Sequence, residues 1–480
     1  MRRCRPRRGG SRSARPESRS SPGGSGSRDG RRSVVGRIER VTQPTSLPRT
    51  LIADLASLPD GPVKVQGWVE TVRDQKRVQF VIVRDESGAA QLVNPVNDDT
   101  AETAATISGL MHGSFISVTG DLKADERVKL GGLEVKVGSL VVESVAKDSP
   151  IADDSSIDKR LDWRFLDLRR PEAQLIFRVQ TTIEHAMRQH WIDEGFIELH
   201  TPKLMATASE SRAELFEVPY FETTAYLAQS PQLFKQMAQS AGFGKIFEIG
   251  PAFRADPSFT SRHATEFTSI DSEISWIDSH EDVMQLHEQL LAKAVAAVVE
   301  RHGAEIEERF GITLEVPTLP FPRIPHAEVK AIVEGRGHTI ERADGDLDPE
   351  AERQISAHVK ETMGHDFVFV TEYPSGVRPF YHLRPEGRGE VTNSYDLIYN
   401  GVEISTGAQR EHRIDVLEAQ IAEKGMDASE LEEYLDFFRY GVPPHGGFGM
   451  GLARVVMLML GLGSIRETTY LFRGPTRLKP

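Results

Sequence analysis

One cysteine, Cys4, stands among 480 residues. With nothing to pair with, it excludes an internal disulfide, and no thiolate metal site can be built. Long apolar runs are missing as well. None approaches the roughly 20 residues that a membrane helix needs, and no basic stretch followed by an apolar one marks a secretory leader. These absences point to a reducing, cytoplasmic setting without a membrane partner. Positive charge is scarce overall, for the formal net charge is -13. Its distribution is uneven: residues 1–40 hold thirteen arginines, no lysine and three acids, which leaves about -23 on the other 440 residues. That Arg/Gly/Ser/Pro-rich arm cannot bury enough apolar surface to order itself. Residues 1–45 are therefore expected to be disordered, either as an RNA-binding tail or as an extension without function from an upstream start in a GC-rich gene.

Hydrophobic residues make up 39% and charged residues 27%, ordinary for a globular protein with room for two or three domains. Residues 46–148 carry short alternating segments, among them "VKVQGWVETV", "VQFVIVRD" and "LEVKVGSLVVES", separated by turn signals such as "DESG" and "LGG". Five short strands predict a small β-barrel of the oligonucleotide-binding (OB) kind. Residues 149–170 are polar and interrupted by proline, and read as a hinge. Within 171–480, "AQLIFRVQTTIEHAMRQHWIDEGF" and "HEDVMQLHEQLLAKAVAAVVERHG" have helical spacing, strands fall at "SYDLIYNGVEIS", and "GGFGMGLARVVMLMLGL" reads as a glycine turn into an apolar helix. Strands mixed with helices without regular βαβ repetition argue for an α+β fold.

Four stretches carry chemistry. In "FRADPSFTSRHATEFTSID", Arg254, Arg262 and His263 face one another across a predicted hairpin. Guanidiniums there suit a polyphosphate, and Phe267 offers a face to a base. Phe267 and Asp271 share one side of a strand about 13 Å apart at roughly 3.3 Å per residue. An ion-paired surface hairpin with a core Phe accounts for this segment equally well. "NSYDLIYNGVEISTGAQREH" supplies Asp396, Glu403, Ser405, Thr406 and Arg410; the oxygens suit Mg²⁺ bridging phosphates, or are plain solvated acids. The glycines before Arg454 would let backbone approach a ligand at a helix start, or merely open a packed helix. "YLAQSPQLFKQ", with Gln232 and Lys235, needs no ligand if Ser and Pro simply start a helix.

Taken together, these strings closely resemble a class II aminoacyl-tRNA synthetase, specifically the aspartyl-tRNA synthetases of archaeal and eukaryotic type. "GFIELHTPKLM" is similar to motif 1, "FRADPSFTSRHATEF" to motif 2 and "GGFGMGLARV" to motif 3, and "SIDSEI", "YPSGVRPFY" and "GVEISTGAQREH" are further family strings. The likeness runs from about residue 62 to 480. It implies an antiparallel catalytic sheet flanked by helices, an N-terminal OB domain for the anticodon, and a homodimer. The implied activity is ATP-dependent joining of L-aspartate to tRNA(Asp), with tRNA(Asn) left open as a second acceptor, and Mg²⁺ as cofactor. By resemblance, Arg254 serves the α-phosphate and Arg454 covers adenine and reaches the γ-phosphate; these two are the catalytic residues. Arg262 and His263 hold the outer phosphates, Phe267 stacks on adenine, and Asp256 reads its amino group. Asp396, Glu403, Ser405 and Thr406 hold Mg²⁺ and phosphate oxygens. Lys235 and Arg410 pair with the aspartate side chain, while Glu210, Gln232 and Asp271, with Ser405 nearby, complete the amino-acid site. Glu70, Arg73, Phe80 and Gln91 match anticodon-contacting positions.

Some positions depart from the family. The loop usually read as Ser-Glu-Gly-Gly is "SESR", so Ser211 and Arg212 replace glycines and reduce hinge freedom. Asp256 replaces a Glu, Ala453 replaces another, and Glu70 matches neither the tryptophan nor the histidine usual after "GWV". A specialised second copy or a non-catalytic tRNA-binding paralogue therefore stands as the alternative. An aspartate–ammonia ligase of the same catalytic fold is disfavoured by the barrel.

Overall fold

The computed structural model describes residues 47–206, 215–258, 260–342 and 345–480. The Arg-rich arm and Glu210, Ser211 and Arg212 lie outside the described residues. The chain divides into two compact units, one through Asp148 and one from Ser149. Among the described residues no helix is long and apolar enough to cross a membrane.

The first unit is a closed barrel. Its elements are β1 (Gly61–Gln75), β2 (Val78–Arg84), β3 (Ala89–Pro95), α1 (Ala101–Ser108), β4 (Phe115–Ala124) and β5 (Leu133–Ser144). The strands close in the order β1-β2-β3-β5-β4, with β3 and β5 parallel. Period-two alternation drives it: every second residue of β2 is buried, and Val65, Val81, Leu92, Ile116, Val118 and Val135 fill the interior. Helix α1 has no counterpart in the strand pattern. An Asn97–Thr100 capping box precedes it, and it buries Ala104 and Ile107.

The second unit begins with α2 (Ile157–Asp162), α3 (Arg164–Asp167) and α4 (Pro171–Asp193). The second half of the stretch expected as a hinge is thus largely helical. Arg164 explains why: it is 2% exposed, ion-pairs with Asp167, and donates to the carbonyls of Glu467 (2.8 Å) and Thr469 (2.9 Å). There follow β6 (Ile197–Glu198), β7 (Leu204–Met205), β8 (Glu217–Tyr220), β9 (Thr223–Leu227), α5 (Gln232–Ser240), β10 (Lys245–Phe253), β11 (Glu266–Ser275) and α6 (His280–Phe310). After them come β12 (Arg323–Pro325), α7 (His326–Gly335), α8 (Pro349–Met363), β13 (Phe367–Thr371), β14 (Ser394–Tyr399), β15 (Val402–Gln409), α9 (Ile414–Glu423), α10 (Glu432–Arg439), β16 (His445–Gly451) and α11 (Leu452–Met459). Eight strands form one sheet in the order β12-β13-β14-β15-β16-β11-β10-β6. All its pairings are antiparallel except those at the two edges, β12–β13 and β10–β6. Helices α4, α6 and α11 contribute Val179, Ile183, Leu290, Leu291 and Val455 to the core beneath it.

Two sequence expectations change. Helix α6 runs through Gly303 to Phe310, because His302 and Ile306 continue its buried face and Gly311 (φ 69°) makes the stop. The glycine run before Arg454 is a central strand, β16, rather than a turn. A side chain at Gly447 would collide with the Ser272 carbonyl and the Glu273 carboxylate, so the glycines let β16 press against β11.

Candidate active site

Above the sheet a cavity of about 430 Å³ gathers residues from β11, β15, β16, α5 and the β10–β11 hairpin. One end is a buried ion cluster. The first turn of α5 inserts Lys235, 1% exposed, whose Nζ lies 2.9 Å from Asp271 Oδ1 and 3.4 Å from Glu273 Oε2 and donates to the Phe448 carbonyl (3.0 Å). Arg410, at the end of β15, reaches Glu273 Oε1 at 2.9 Å and donates to the Gly447 carbonyl (3.0 Å) and to His382 Nε2 (3.1 Å). Burial pushes the Glu273 carboxyl up, but Arg410 and Lys235 outweigh it and hold it below its usual range. Burial, then the Arg410 charge, holds His382 well below the usual imidazole range, so it accepts from Arg410 as a neutral ring. Gln232 and Asp271 line this end.

The other end is looser and lined by the hairpin. Strands β10 and β11 pair down to Phe253↔Glu266, which places Arg254 so that its guanidinium lies 5.5 Å from the Phe267 ring centre. Arg262 ion-pairs with Glu352 of α8 at 2.6 Å. Arg454, on the first turn of α11, donates to the Glu403 carbonyl (2.8 Å) and lies 3.6 Å from Glu403 Oε2. His263 contacts Thr260, and burial followed by the Arg454 charge lowers its pKa. Asp256 accepts a hydrogen bond from its own loop, from the Ser258 N–H at 2.8 Å.

The oxygen ligands are sorted by the register of β15 on β14, whose irregularity between Leu397 and Ile398 leaves Ile404 without a β14 partner and brings Glu403 to the same side as Thr406. Thr406 Oγ1 sits 2.8 Å from Asp396 Oδ1 and 3.2 Å from Glu403 Oε1. Ser405 faces away and donates to the Gly449 carbonyl (2.9 Å) of β16, outside the cavity lining. The expectation of Ser405 as a metal and substrate ligand is therefore corrected: neighbours on a strand point to opposite faces. Asp396 is also set back from the lining, paired with Arg378 at 2.7 Å. Burial pushes Asp396 up despite Arg378, whereas Arg454 and Arg378 outweigh burial at Glu403 and hold it below its usual range. Among the described residues no group of three or more His, Cys, Asp or Glu side chains is placed to hold a metal. Glu403 and Thr406 nevertheless fit Mg²⁺, which commonly takes one or two carboxylates and completes its shell with phosphate oxygens and water.

In the barrel unit Arg73 Nη2 donates to Gln91 Oε1 (3.2 Å) and its guanidinium lies 5.5 Å from the Phe80 ring centre. Gln91 donates in turn to Glu134 (3.1 Å), a residue that no sequence motif singles out. Glu70 is drawn aside into an ion pair with Arg84. Glu273, Arg378, His382 and Glu352 were likewise missed. "SIDSEI" and "YPSGVRPFY" contain two of them, Glu273 and Arg378, and His382 directly follows the second, but which member matters emerges only from contacts across the sheet.

Comparison with known proteins agrees with this geometry. Residues 156–473 match the tRNA synthetases class II (D, K and N), and residues 63–143 match the OB-fold nucleic acid binding domain. An aspartate–tRNA(Asp/Asn) ligase of Aeropyrum pernix is 40% identical, covering 90% of this chain and 98% of that protein. An aspartate–tRNA(Asp) ligase of Pyrococcus abyssi is 42% identical over 87% of this chain and 96% of its own length. Among solved structures, asparaginyl-tRNA synthetase of Pyrococcus horikoshii complexed with asparaginyl-adenylate is 33% identical with a TM-score of 0.83, covering 91% of this chain and all of that one. Aspartyl-tRNA synthetase from Entamoeba histolytica is 30% identical with a TM-score of 0.81, over 92% and 95%. With an OB barrel in one unit and a flanked antiparallel sheet bearing all three motif strings in the other, the chain belongs to the class II tRNA synthetases of the D, K and N type.

Proposed function

We propose that the protein is an aspartate–tRNA ligase, activating L-aspartate with ATP and passing it to the 3′ end of tRNA(Asp). The observation that carries the substrate is the buried Lys235/Arg410 pair at the closed end of the cavity. With Asp271 drawn to the substrate ammonium, Lys235 and Arg410 share Glu273 alone, and a side-chain carboxylate restores the balance; the carboxamide of asparagine does not, and leaves buried cations short of an anion. Gln232 and Asp271 face the ammonium. At the open end Phe267 stacks on adenine, Arg254 bridges the α-phosphate and the attacking carboxylate, and Arg262, His263 and Arg454 hold the outer phosphates. The aspartate carboxylate attacks the α-phosphorus, the bond to pyrophosphate breaks, and the tRNA hydroxyl then displaces AMP from the mixed anhydride. No side chain becomes covalently bound. Positioning and preorganised charge supply the catalysis. Glu403 and Thr406, backed by Asp396, would hold Mg²⁺, which when bound neutralises phosphate charge.

Residues 46–148 serve as the anticodon-binding domain through Arg73, Phe80 and Gln91, and residues from 171 form the catalytic domain. Exposed Ile197 (46%), Phe243 (43%) and Trp276 (80%), grouped around the β6–β10 edge, support a homodimer made through that edge. The test is charging of purified tRNA(Asp) and tRNA(Asn) side by side. Charging of tRNA(Asp) is expected, and its absence alongside intact tRNA binding would establish the non-catalytic paralogue instead. The tRNA(Asn) lane decides the breadth of the acceptor, a question raised by the Glu70–Arg84 pair and by relatives named for both tRNAs.

A further inference from the structure

Behind the amino-acid end of the cavity runs a chain of buried polar side chains that the substrate reading leaves unused. Gln236, 0% exposed, lies one turn after Gln232 on α5. Gln232 Nε2 is 3.1 Å from Gln236 Oε1, and the Tyr434 hydroxyl is 3.0 Å from the same oxygen. The other side of the Gln236 amide, Nε2, sits 3.2 Å from His445 Nε2. His445 is itself fully buried, with Nδ1 2.9 Å from the Pro443 carbonyl oxygen.

Hydrogen-bond chemistry gives this chain one direction. The Pro443 carbonyl accepts and cannot donate, so His445 Nδ1 carries the proton. Burial lowers the His445 pKa to about 4, so the ring is neutral near pH 7 and Nε2 is a bare acceptor. Gln236 must turn its NH₂ toward that nitrogen, which aims its carbonyl oxygen at Tyr434 and Gln232. Gln232 then presents its NH₂ inward and its own oxygen toward the cavity. An ammonium has donors alone, so an acceptor is what it requires.

We propose that Gln236, oriented by His445 and Tyr434, is a positioning residue that locks the Gln232 amide with its oxygen toward the α-ammonium of the amino acid. The inference rests on the reading of this end of the cavity as the amino-acid site. Without the lock the Gln232 amide can turn over and set donor against donor.

Aspartate and succinate, which is aspartate without its amino group, separate positioning from general damage. In ATP–pyrophosphate exchange, Gln236→Met should raise the aspartate KM about tenfold, with the succinate inhibition constant and the ATP KM changed less than about twofold. Gln236→Glu keeps an acceptor toward Gln232 and should stay close to the native aspartate-to-succinate ratio. Tyr434→Phe, a milder change should Gln236→Met not fold, should raise the aspartate KM about threefold by the same logic. A parallel loss of succinate and aspartate binding, or an unchanged aspartate KM, overturns the proposal. Gln232→Ala distinguishes the two levels. If it leaves the ratio unchanged, the amino-acid reading of the site fails; if it shifts the ratio while Gln236→Met does not, the positioning role alone fails.

Discussion

The two ends of the cavity handle positive charge differently. At the closed end Lys235 and Arg410, 1% and 3% exposed, are already held by Asp271 and Glu273 and by backbone carbonyls. At the open end Arg454 leans on carbonyls and a half-exposed carboxylate, Arg254 lies over an aromatic ring, and Arg262 pairs with Glu352 of α8. The closed end is a cage assembled during folding, which can reject a wrong side chain because buried ions tolerate no mismatch. The open end holds cations near the surface, ready to gather around a mobile triphosphate whose own charge organises them. Under the proposed function, selectivity is assigned to the first region and phosphate handling to the second.

Substitutions at each end should therefore fail in different ways. Lys235→Met removes one member of a buried cluster, for which about 3–5 kcal/mol is typical. Aspartate-driven exchange should fall by roughly a thousandfold or more, while ATP affinity measured by equilibrium binding stays within about threefold. Equal losses of ATP and aspartate binding would erase the contrast. Phe267→Ala should raise the ATP KM about thirtyfold, as expected for a lost stacking platform, and leave the aspartate KM nearly unchanged. Phe80→Ala in the barrel should raise the tRNA KM about tenfold and leave ATP–pyrophosphate exchange untouched, because exchange needs no tRNA.

The smallest effect concerns stability. His287 is fully buried against Phe448, rings 3.8 Å apart, and burial lowers its pKa to about 3 from an ordinary 6.5. Between those values the unfolded chain takes up a proton that the folded chain refuses, so stability falls as pH drops below 6.5. From pH 7 to 5.5 this group should cost about 1 kcal/mol. Urea titrations at the two pH values should show a smaller difference for His287→Phe than for the native protein.

How much of this could be read from the residues depends on the range of the interaction. Alternation and turn residues predicted the barrel strands, and the motif strings located Lys235, Arg254, Phe267, Glu403 and Arg454, which the fold gathers in one cavity. Helix α1 escaped because its polar stretch has two small apolar contacts instead of a stripe. Glycines before Arg454 looked like a turn because the reason for them, the Ser272 and Glu273 atoms pressed against Gly447, lies far away in sequence. Ser405 and Thr406 could not be told apart until the pairing of β15 with β14 set which hydroxyl meets Asp396. Glu273 and Glu352 act on arginines 137 and 90 residues away, distances at which local pattern carries no information.

The central claim is that the closed end selects a carboxylate side chain. Exchange of pyrophosphate into ATP by the native protein, driven in parallel by aspartate and by asparagine, tests it most directly. Aspartate should support exchange, and asparagine at the same concentration should support at most about a thousandth of that rate. Comparable rates with the two amino acids would contradict the account.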